Sequence, residues 1–114
     1  MFNEKREKHP RVVCSAVVNI KSNDKHGVFH KGIIKNISVG GFTLETESQL
    51  NVGKEFVFEF YLPDKSVIKS HGRPKWELKS DNSNFYGVEF ESIGFINKLK
   101  LKRFIKNKLS DTLT

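Results

Sequence analysis

The stretch EFVFEFYL, residues 55–62, indicates most clearly which fold this sequence adopts. Large apolar side chains occupy every second position, at Phe56, Phe58, Phe60 and Leu62. Successive residues of a β-strand point to opposite faces, so these four side chains share one face. A period of two therefore predicts a strand that is buried on that face.

The same kind of strand is predicted on both sides of this stretch. In VVCSAVVNI, residues 12–20, all even positions are apolar, and further strands are predicted up to Ile34, over residues 42–47, up to Trp76 and over FYGVEF. Turn-forming residues separate the strands, as in SNDKHG, NVGK, PDKS and SDNSN. Six strands at this spacing are typical of a small barrel or sandwich. We expect this part of the chain to cover residues 12–92.

After Ser92 the spacing of the apolar residues changes to that of a helix. We predict an amphipathic helix over residues 93–110 that buries one apolar stripe against the open end of the barrel. The residues of the predicted stripe are Phe95, Ile96, Leu99, Phe104, Ile105 and Leu109. Six cations and no acidic residue lie between Asn97 and Leu109, and we expect them to form the solvated face of the helix.

The composition indicates one folded domain with an excess of positive charge. The chain has 114 residues, is 37% hydrophobic and carries a net charge of +7, which makes an anionic partner plausible without identifying it. No apolar run is long enough to span a membrane, and the N-terminus lacks the apolar region of a secretory signal. Together with a single cysteine, Cys14, these features predict a cytoplasmic protein.

The polar residues do not form a catalytic or metal-binding pattern. No Cys/His cluster has the spacing of a zinc site, and Cys14 lies on the apolar side of the first strand, where a small buried side chain is expected. Ser38 has no histidine or acid near it in the sequence that would activate it as a nucleophile. We therefore predict no enzymatic activity, no metal and no cofactor.

The stretch NISVGGF, residues 36–42, lies between the second and third predicted strands. Asn36 and Ser38 are short polar residues that hydrogen-bond locally, and Gly40 and Gly41 permit a positive φ or a close approach of another backbone. Such a turn can direct backbone N–H groups towards an anion. The same pattern also fits a tight turn with no ligand.

The stretch KREKHPRVVC, residues 5–14, places four cations directly before the first strand. Lys5, Arg6, Lys8 and Arg11 are either solvated charge at a flexible terminus or a tethered clamp for an anion. The two stretches together resemble the PilZ domain family, which has a basic arm before strand one and an N-x-S-x-x-G turn between strands two and three. HPRV, GRPKW and YGVEF followed by a helix add to the resemblance, which extends over nearly the whole chain.

The resemblance implies a six-stranded antiparallel β-barrel with a C-terminal helix that binds cyclic di-GMP. In the family, an R-x-x-x-R arm and a (D/N)-x-S-x-x-G turn hold the dinucleotide. Residues 1–11 would then be a flexible basic arm that folds over the ligand. The residues expected to contact it are Arg6, Lys8, Arg11, Asn36, Ser38 and Gly41, with Gly40 and Trp76 as further candidates.

Two positions leave alternatives open. Glu7 occupies the place of the family's first arginine, and the spacing present here is five residues, from Arg6 to Arg11. A glutamate repels phosphate and has no donors, whereas a shift of register in the arm would bring Arg6 into place. Trp76 matches a region where a tryptophan of the family can approach the nucleotide, and packing in the barrel core or at its rim is the alternative.

The resemblance favours a stand-alone receptor that signals through an unidentified effector protein. The alternative is a degenerate domain that does not bind cyclic di-GMP and acts as a protein-interaction adaptor, through the basic C-terminal helix. Binding of single-stranded nucleic acid ranks last, because most of the Phe residues alternate inward and do not form a stacking platform.

Overall fold

The computed structural model describes residues 10–23 and 27–113, which form six β-strands and one α-helix. The elements are β1 (Val12–Ser22), β2 (Phe29–Ser38), β3 (Gly41–Thr46), β4 (Phe56–Tyr61), β5 (Val67–Lys79), β6 (Asn84–Ile93) and α1 (Phe95–Leu113). The strands close into a barrel in the order β1-β2-β3-β6-β5-β4, and every neighbouring pair is antiparallel. The six-stranded antiparallel barrel with a C-terminal helix, predicted from the sequence, is confirmed.

Phenylalanine rings fill the barrel interior, as the period of two predicts. Phe56, Phe58 and Phe60 of β4 are buried, and the ring of Phe58 meets that of Phe42 edge-on with their centroids 5.1 Å apart. Such edge-on pairs have a preferred geometry, and they stabilise the core beyond the free energy gained by burying apolar area. The fully apolar set of even positions in β1 also points inward. Burial raises the pKa of the Cys14 thiol, which keeps it protonated, as expected of a small buried side chain.

The strand pairings shift register at four places, and two of these β-bulges turn particular side chains to the other face. The β2–β3 register shifts by one residue between Ile34 and Asn36, and the β5–β6 register shifts between Pro74 and Trp76. A bulge inserts one unpaired residue and so reverses which positions face the core. Asn36 and Trp76, directly after these two bulges, are therefore not buried in the core.

Helix α1 begins at Phe95 and ends at Leu113, whereas the spacing predicts residues 93–110. The predicted apolar stripe is wrong in its first half. Phe95, Ile96 and Leu99 are exposed at 74%, 62% and 44%, and the buried side chains belong to Leu101, Phe104 and Ile105.

The reason for this error is the five-residue gap between Leu99 and Phe104. Each helical residue advances by about 100°, so a gap of five rotates the side chain by roughly 140°. Leu101, Phe104 and Ile105 follow the helical spacing and pack against the barrel, where α1 contacts β5 and β1. Within the described residues, no helix is long and apolar enough to cross a membrane.

Candidate functional site

A cleft of about 310 Å³ lies on the outer wall of the barrel, where the start of β1, the β2–β3 turn, β5 and β6 meet. Its walls come from four separate segments of the chain. The lining residues are Arg11, Ser38, Gly40, Gly41, Lys75, Trp76, Gly87, Val88 and Glu89. The structure therefore brings together five of the residues predicted to contact a ligand: Arg11, Ser38, Gly40, Gly41 and Trp76.

Arg11 is held at the cleft by Asn36. Its Nη1 donates a hydrogen bond to Asn36 Oδ1 over 2.7 Å. The pairing of Val13 with Asn36 across β1 and β2 sets this contact, because it places Asn36 beside the residues that precede β1. An amide oxygen orients a guanidinium without neutralising it, so Arg11 retains its positive charge for an anionic ligand.

Arg73 on the same wall is in the opposite situation. Its Nε donates to Glu91 Oε2, its Nη1 donates to the carbonyl of Gly53 over 2.6 Å, and its Nη2 lies 3.7 Å from Glu55 Oε1. The hydrogen bond to Glu91, followed by the charges of both carboxylates, holds the pKa of this guanidinium above its usual value. The charge of Arg73 is therefore already compensated by the protein.

The NISVGGF turn is organised by Ser38. The N–H of Gly40 donates to Ser38 Oγ over 3.1 Å, and the carbonyl of Gly40 accepts from the N–H of Phe90 over 3.0 Å. The Gly40 N–H thus bonds within the turn, although such groups were expected to face an anion. Ser38 is buried and shapes the floor of the cleft.

Of the two reasons for glycine in this turn, close backbone approach is the one that applies. The described glycines with positive φ are Gly27 and Gly53, both outside the turn. At Gly41, a Cβ atom would lie 2.1 Å from the carbonyl oxygen of Val88. Gly41 pairs with Glu89 across β3 and β6, so the absence of a side chain lets β6 close against the turn.

The bulge before Trp76 decides where its indole lies. The even positions of β5 before it, from Ile68 to Pro74, are buried, and continued alternation would place Trp76 in the core. The register shift instead turns the indole outward, where it is 49% exposed. The core-packing alternative for Trp76 is thereby excluded.

Gly87 provides the surface on which the indole rests. Trp76 and Gly87 are paired across β5 and β6, and a Cβ at Gly87 would lie 2.0 Å from Trp76 Nε1. The ring therefore covers the backbone of β6 at Gly87, and both residues line the cleft. A glycine opposite an aromatic residue in paired strands is a signal for such stacking.

Sequence reasoning did not single out Lys75, Gly87, Val88 and Glu89 as lining residues. Lys75 Nζ lies 3.3 Å from Glu89 Oε1, and both side chains are more than half exposed. Such a pair is worth little in free energy and exchanges partners readily. The position of Lys75 beside Trp76 in GRPKW was the available signal for a second cation in the cleft.

Arg6, Lys8 and Glu7 lie outside the described residues, so the arm contributes only Pro10 and Arg11 to this geometry. Among residues 10–23 and 27–113, no group of three His, Cys, Asp or Glu side chains is arranged to hold a metal ion.

The sequence model of the PilZ domain family matches residues 5–107. The chain belongs to this family, and its six-stranded barrel with a C-terminal helix is the PilZ-type fold. No protein among the curated sequences matches the chain.

Solved structures of PilZ proteins share this fold at low sequence identity. The chain superposes on the PilZ domain of Escherichia coli YcgR with c-di-GMP, with a TM-score of 0.74, 13% identity and 94% of each chain covered. It also matches the Bacillus subtilis inhibitor of motility MotI/DgrA, with a TM-score of 0.78, 16% identity, 92% of this chain and 52% of that chain. The K. pneumonia MrkH–c-di-GMP complex gives a TM-score of 0.76, 16% identity, 94% of this chain and 53% of that one. The chain thus spans about half the length of two of these proteins.

Proposed function

We propose that this chain is a receptor for cyclic di-GMP, which binds in the cleft and orders the basic arm. The observation that supports it most is the 2.7 Å contact between Arg11 and Asn36 beside Ser38, Gly41 and Trp76. Four regions distant in the sequence converge on one surface, and their side chains suit a ligand that combines phosphates with flat bases.

Each residue has a specific role in this proposal. Arg11 pairs its planar guanidinium with a phosphate or with the acceptor edge of a guanine. Asn36 holds that guanidinium in place, and Ser38 and Gly41 keep the floor narrow. The exposed face of Trp76 stacks on a base, with Gly40 at the edge of the cleft.

The arm supplies the remaining charge. Arg6 and Lys8 lie on either side of Glu7, and we propose that Arg6 takes the place of the first arginine while Glu7 turns to solvent. Pro10 restricts the backbone directly before Arg11, which limits how far the register of the arm can shift. Folding of this segment on binding would create a new surface for an effector protein.

Charge distinguishes this cleft from a larger groove of about 630 Å³ elsewhere on the wall. That groove is bordered by Val17, Ile33, one lysine (Lys31) and two glutamates (Glu45 and Glu47). Two carboxylates against one lysine disfavour an anionic ligand. The cleft has two cations against one carboxylate, Arg11 and Lys75 against Glu89.

In this role the chain binds its ligand and does not act as an enzyme. The ligand leaves unchanged, no cofactor is required, and the signal passes to a protein partner. We place the protein in the cytoplasm, as its single cysteine predicts.

The test is calorimetric binding of cyclic di-GMP at near-physiological salt to the unmodified chain, to Arg11→Ala and to Arg103→Ala. Loss of a charge-assisted contact at Arg11 should weaken binding by about 10- to 100-fold. Arg103 is exposed on α1, and its removal subtracts the same charge without touching the cleft, so the affinity should change by less than threefold. If the unmodified protein gives no heat at high micromolar ligand, Glu7 has silenced the site and the chain is a degenerate adaptor.

A further inference from the structure

The first two turns of α1 expose three large apolar side chains. Phe95, Ile96 and Leu99 face solvent, whereas Leu101, Phe104 and Ile105 attach the helix to the barrel. The spacing of Phe95 and Leu99, four residues apart, puts them one above the other on the same face. Large apolar groups exposed side by side on a surface commonly mark a contact with another molecule.

Cations continue this face along the helix. Lys102, Arg103 and Lys106 are exposed, and they follow Leu99 at spacings of three, four and seven residues. These spacings keep them on the side of the helix that carries Phe95 and Leu99. No acidic residue occurs between Asn97 and Leu109. We call the six residues Phe95, Ile96, Leu99, Lys102, Arg103 and Lys106 the outer face of α1.

The outer face is chemically complementary to a negatively charged surface with an apolar layer behind it. Cations near anionic lipid headgroups each strengthen binding by about fivefold, and apolar side chains of an interfacial helix insert at the boundary with the acyl chains. The outer face is convex, because it is the free side of a helix lying on a barrel. A fluid interface fits a convex apolar surface, whereas a folded acidic protein would have to provide a matching groove.

The charge of the rest of the molecule favours the same partner. The chain has a net charge of +7, which attracts it to an anionic surface over a distance of about one Debye length before any contact forms. We propose that the outer face of α1 docks reversibly on an anionic membrane surface, with Phe95, Ile96 and Leu99 inserted and the three cations among the headgroups. This docking is separate from the nucleotide cleft and does not depend on cyclic di-GMP.

The test is flotation of the full chain with two kinds of vesicle, one of phosphatidylcholine alone and one that also contains about 30 mol% phosphatidylglycerol. Each is measured at low and at near-physiological salt. The chain should bind the anionic vesicles, bind the neutral ones at least tenfold more weakly, and lose affinity as salt rises. The double variant F95S/I96S should reduce partition into anionic vesicles by at least tenfold. Both side chains are exposed, so the fold should be unaffected, which circular dichroism checks.

A matched control distinguishes insertion of the outer face from nonspecific adsorption of exposed aromatic residues to the vesicles. Phe29 of β2 is exposed and lies beside Lys21, whose Nζ is 5.6 Å from the ring centroid. F29S removes an exposed aromatic next to a cation elsewhere on the barrel and should leave vesicle binding unchanged. An equal loss of vesicle binding in F29S and in F95S/I96S would overturn the proposal.

Two further outcomes would also overturn it. One is no binding to anionic vesicles at low salt. The other is binding to anionic vesicles that F95S/I96S does not weaken, because Phe95 and Ile96 would then not insert into the membrane.

Discussion

Phe58 and Trp76 are aromatic residues of neighbouring strands that lie on opposite faces of one wall. Phe58 is fully buried in an unbroken alternation, whereas Trp76 follows a bulge and is half exposed over Gly87. The core thus forms where the period of two continues, and the cleft forms where the period is interrupted. Bulges beside functional surfaces re-aim side chains in this way.

Replacing Phe58 or Trp76 by alanine should give the largest difference in stability between the inner and outer faces of the wall. Phe58→Ala leaves a cavity and should lower the free energy of unfolding by about 3–5 kcal/mol. Trp76→Ala removes a half-exposed ring and should cost much less free energy, while the proposed stacking on a base would be lost from the cleft. Urea unfolding of both variants measures the difference, and equal losses would contradict the division into core and site.

Gly41→Ala should have the next largest effect on stability. Its Cβ would meet the Val88 carbonyl oxygen at 2.1 Å, and a backbone atom held in a sheet cannot move aside. We expect a loss of about 3 kcal/mol, the upper end of the usual cost of overpacking. Gly94→Ala is the matched control, because the nearest atom there, Asn97 Nδ2, is 3.6 Å away. A similar stability for both variants would show that β3 and β6 adjust.

Tyr86→Phe tests the polar end of the interior, where no cleft residue is involved. Tyr86 is fully buried, its hydroxyl donates to Glu77 Oε2 over 2.7 Å, and it accepts from the N–H of buried Leu50 over 2.8 Å. Removal of the hydroxyl leaves that N–H without its acceptor and should cost about 2 kcal/mol at neutral pH.

The cost of Tyr86→Phe should also depend on pH. The hydrogen bond from Tyr86, followed by that from Gln49, holds the pKa of the Glu77 carboxyl below its usual value. A lowered folded-state pKa stabilises the protein above the usual carboxyl pKa, and this contribution disappears as pH falls through the folded value. The difference between the two proteins should therefore narrow below about pH 4.5, the usual value for this carboxyl. Stability curves of the two proteins that stay parallel down to about pH 2 would contradict this linkage.

Gly87→Ala should have the smallest effect on stability and a specific effect on the cleft. The new Cβ would lie 2.0 Å from Trp76 Nε1, but a half-exposed indole can swing away, unlike the carbonyl that blocks Gly41→Ala. We expect a stability change within about 1 kcal/mol, a red shift of the tryptophan emission and weaker binding of cyclic di-GMP. An unchanged spectrum would show that the indole does not rest on Gly87.

The sequence was sufficient for the strands and their inward faces because burial follows local spacing, whereas the closed barrel was implied by the resemblance to the PilZ family. Alternation in β1 and β4, with turn residues between strands, predicts both the strands and the inward faces, including that of Cys14. The helix was predicted, and so were Phe104 and Ile105 of its contact face, but the first half of the predicted stripe was wrong. The five-residue gap from Leu99 to Phe104 breaks the helical spacing, and only contact with the barrel shows which half of the apolar residues is buried.

The cleft was less predictable because it depends on pairing between strands far apart in the sequence. The bulge before Trp76 arises from the register of β5 against β6, which no local pattern reveals. The same holds for the contact of Arg11 with Asn36, 25 residues apart. Lys75 and Glu89 were missed because lysine and glutamate are common on the exposed faces of strands, so neither residue type indicates a binding site.

The most direct test of the receptor proposal uses the tryptophan of the cleft itself. Trp76 is the chain's single tryptophan, so its fluorescence reports on the cleft alone. Titration with cyclic di-GMP should quench the emission saturably, with the midpoint of the calorimetric curve, and Arg11→Ala should shift that midpoint by at least tenfold. Calorimetric binding that leaves the Trp76 emission unchanged would place the ligand elsewhere and contradict the assignment of the cleft.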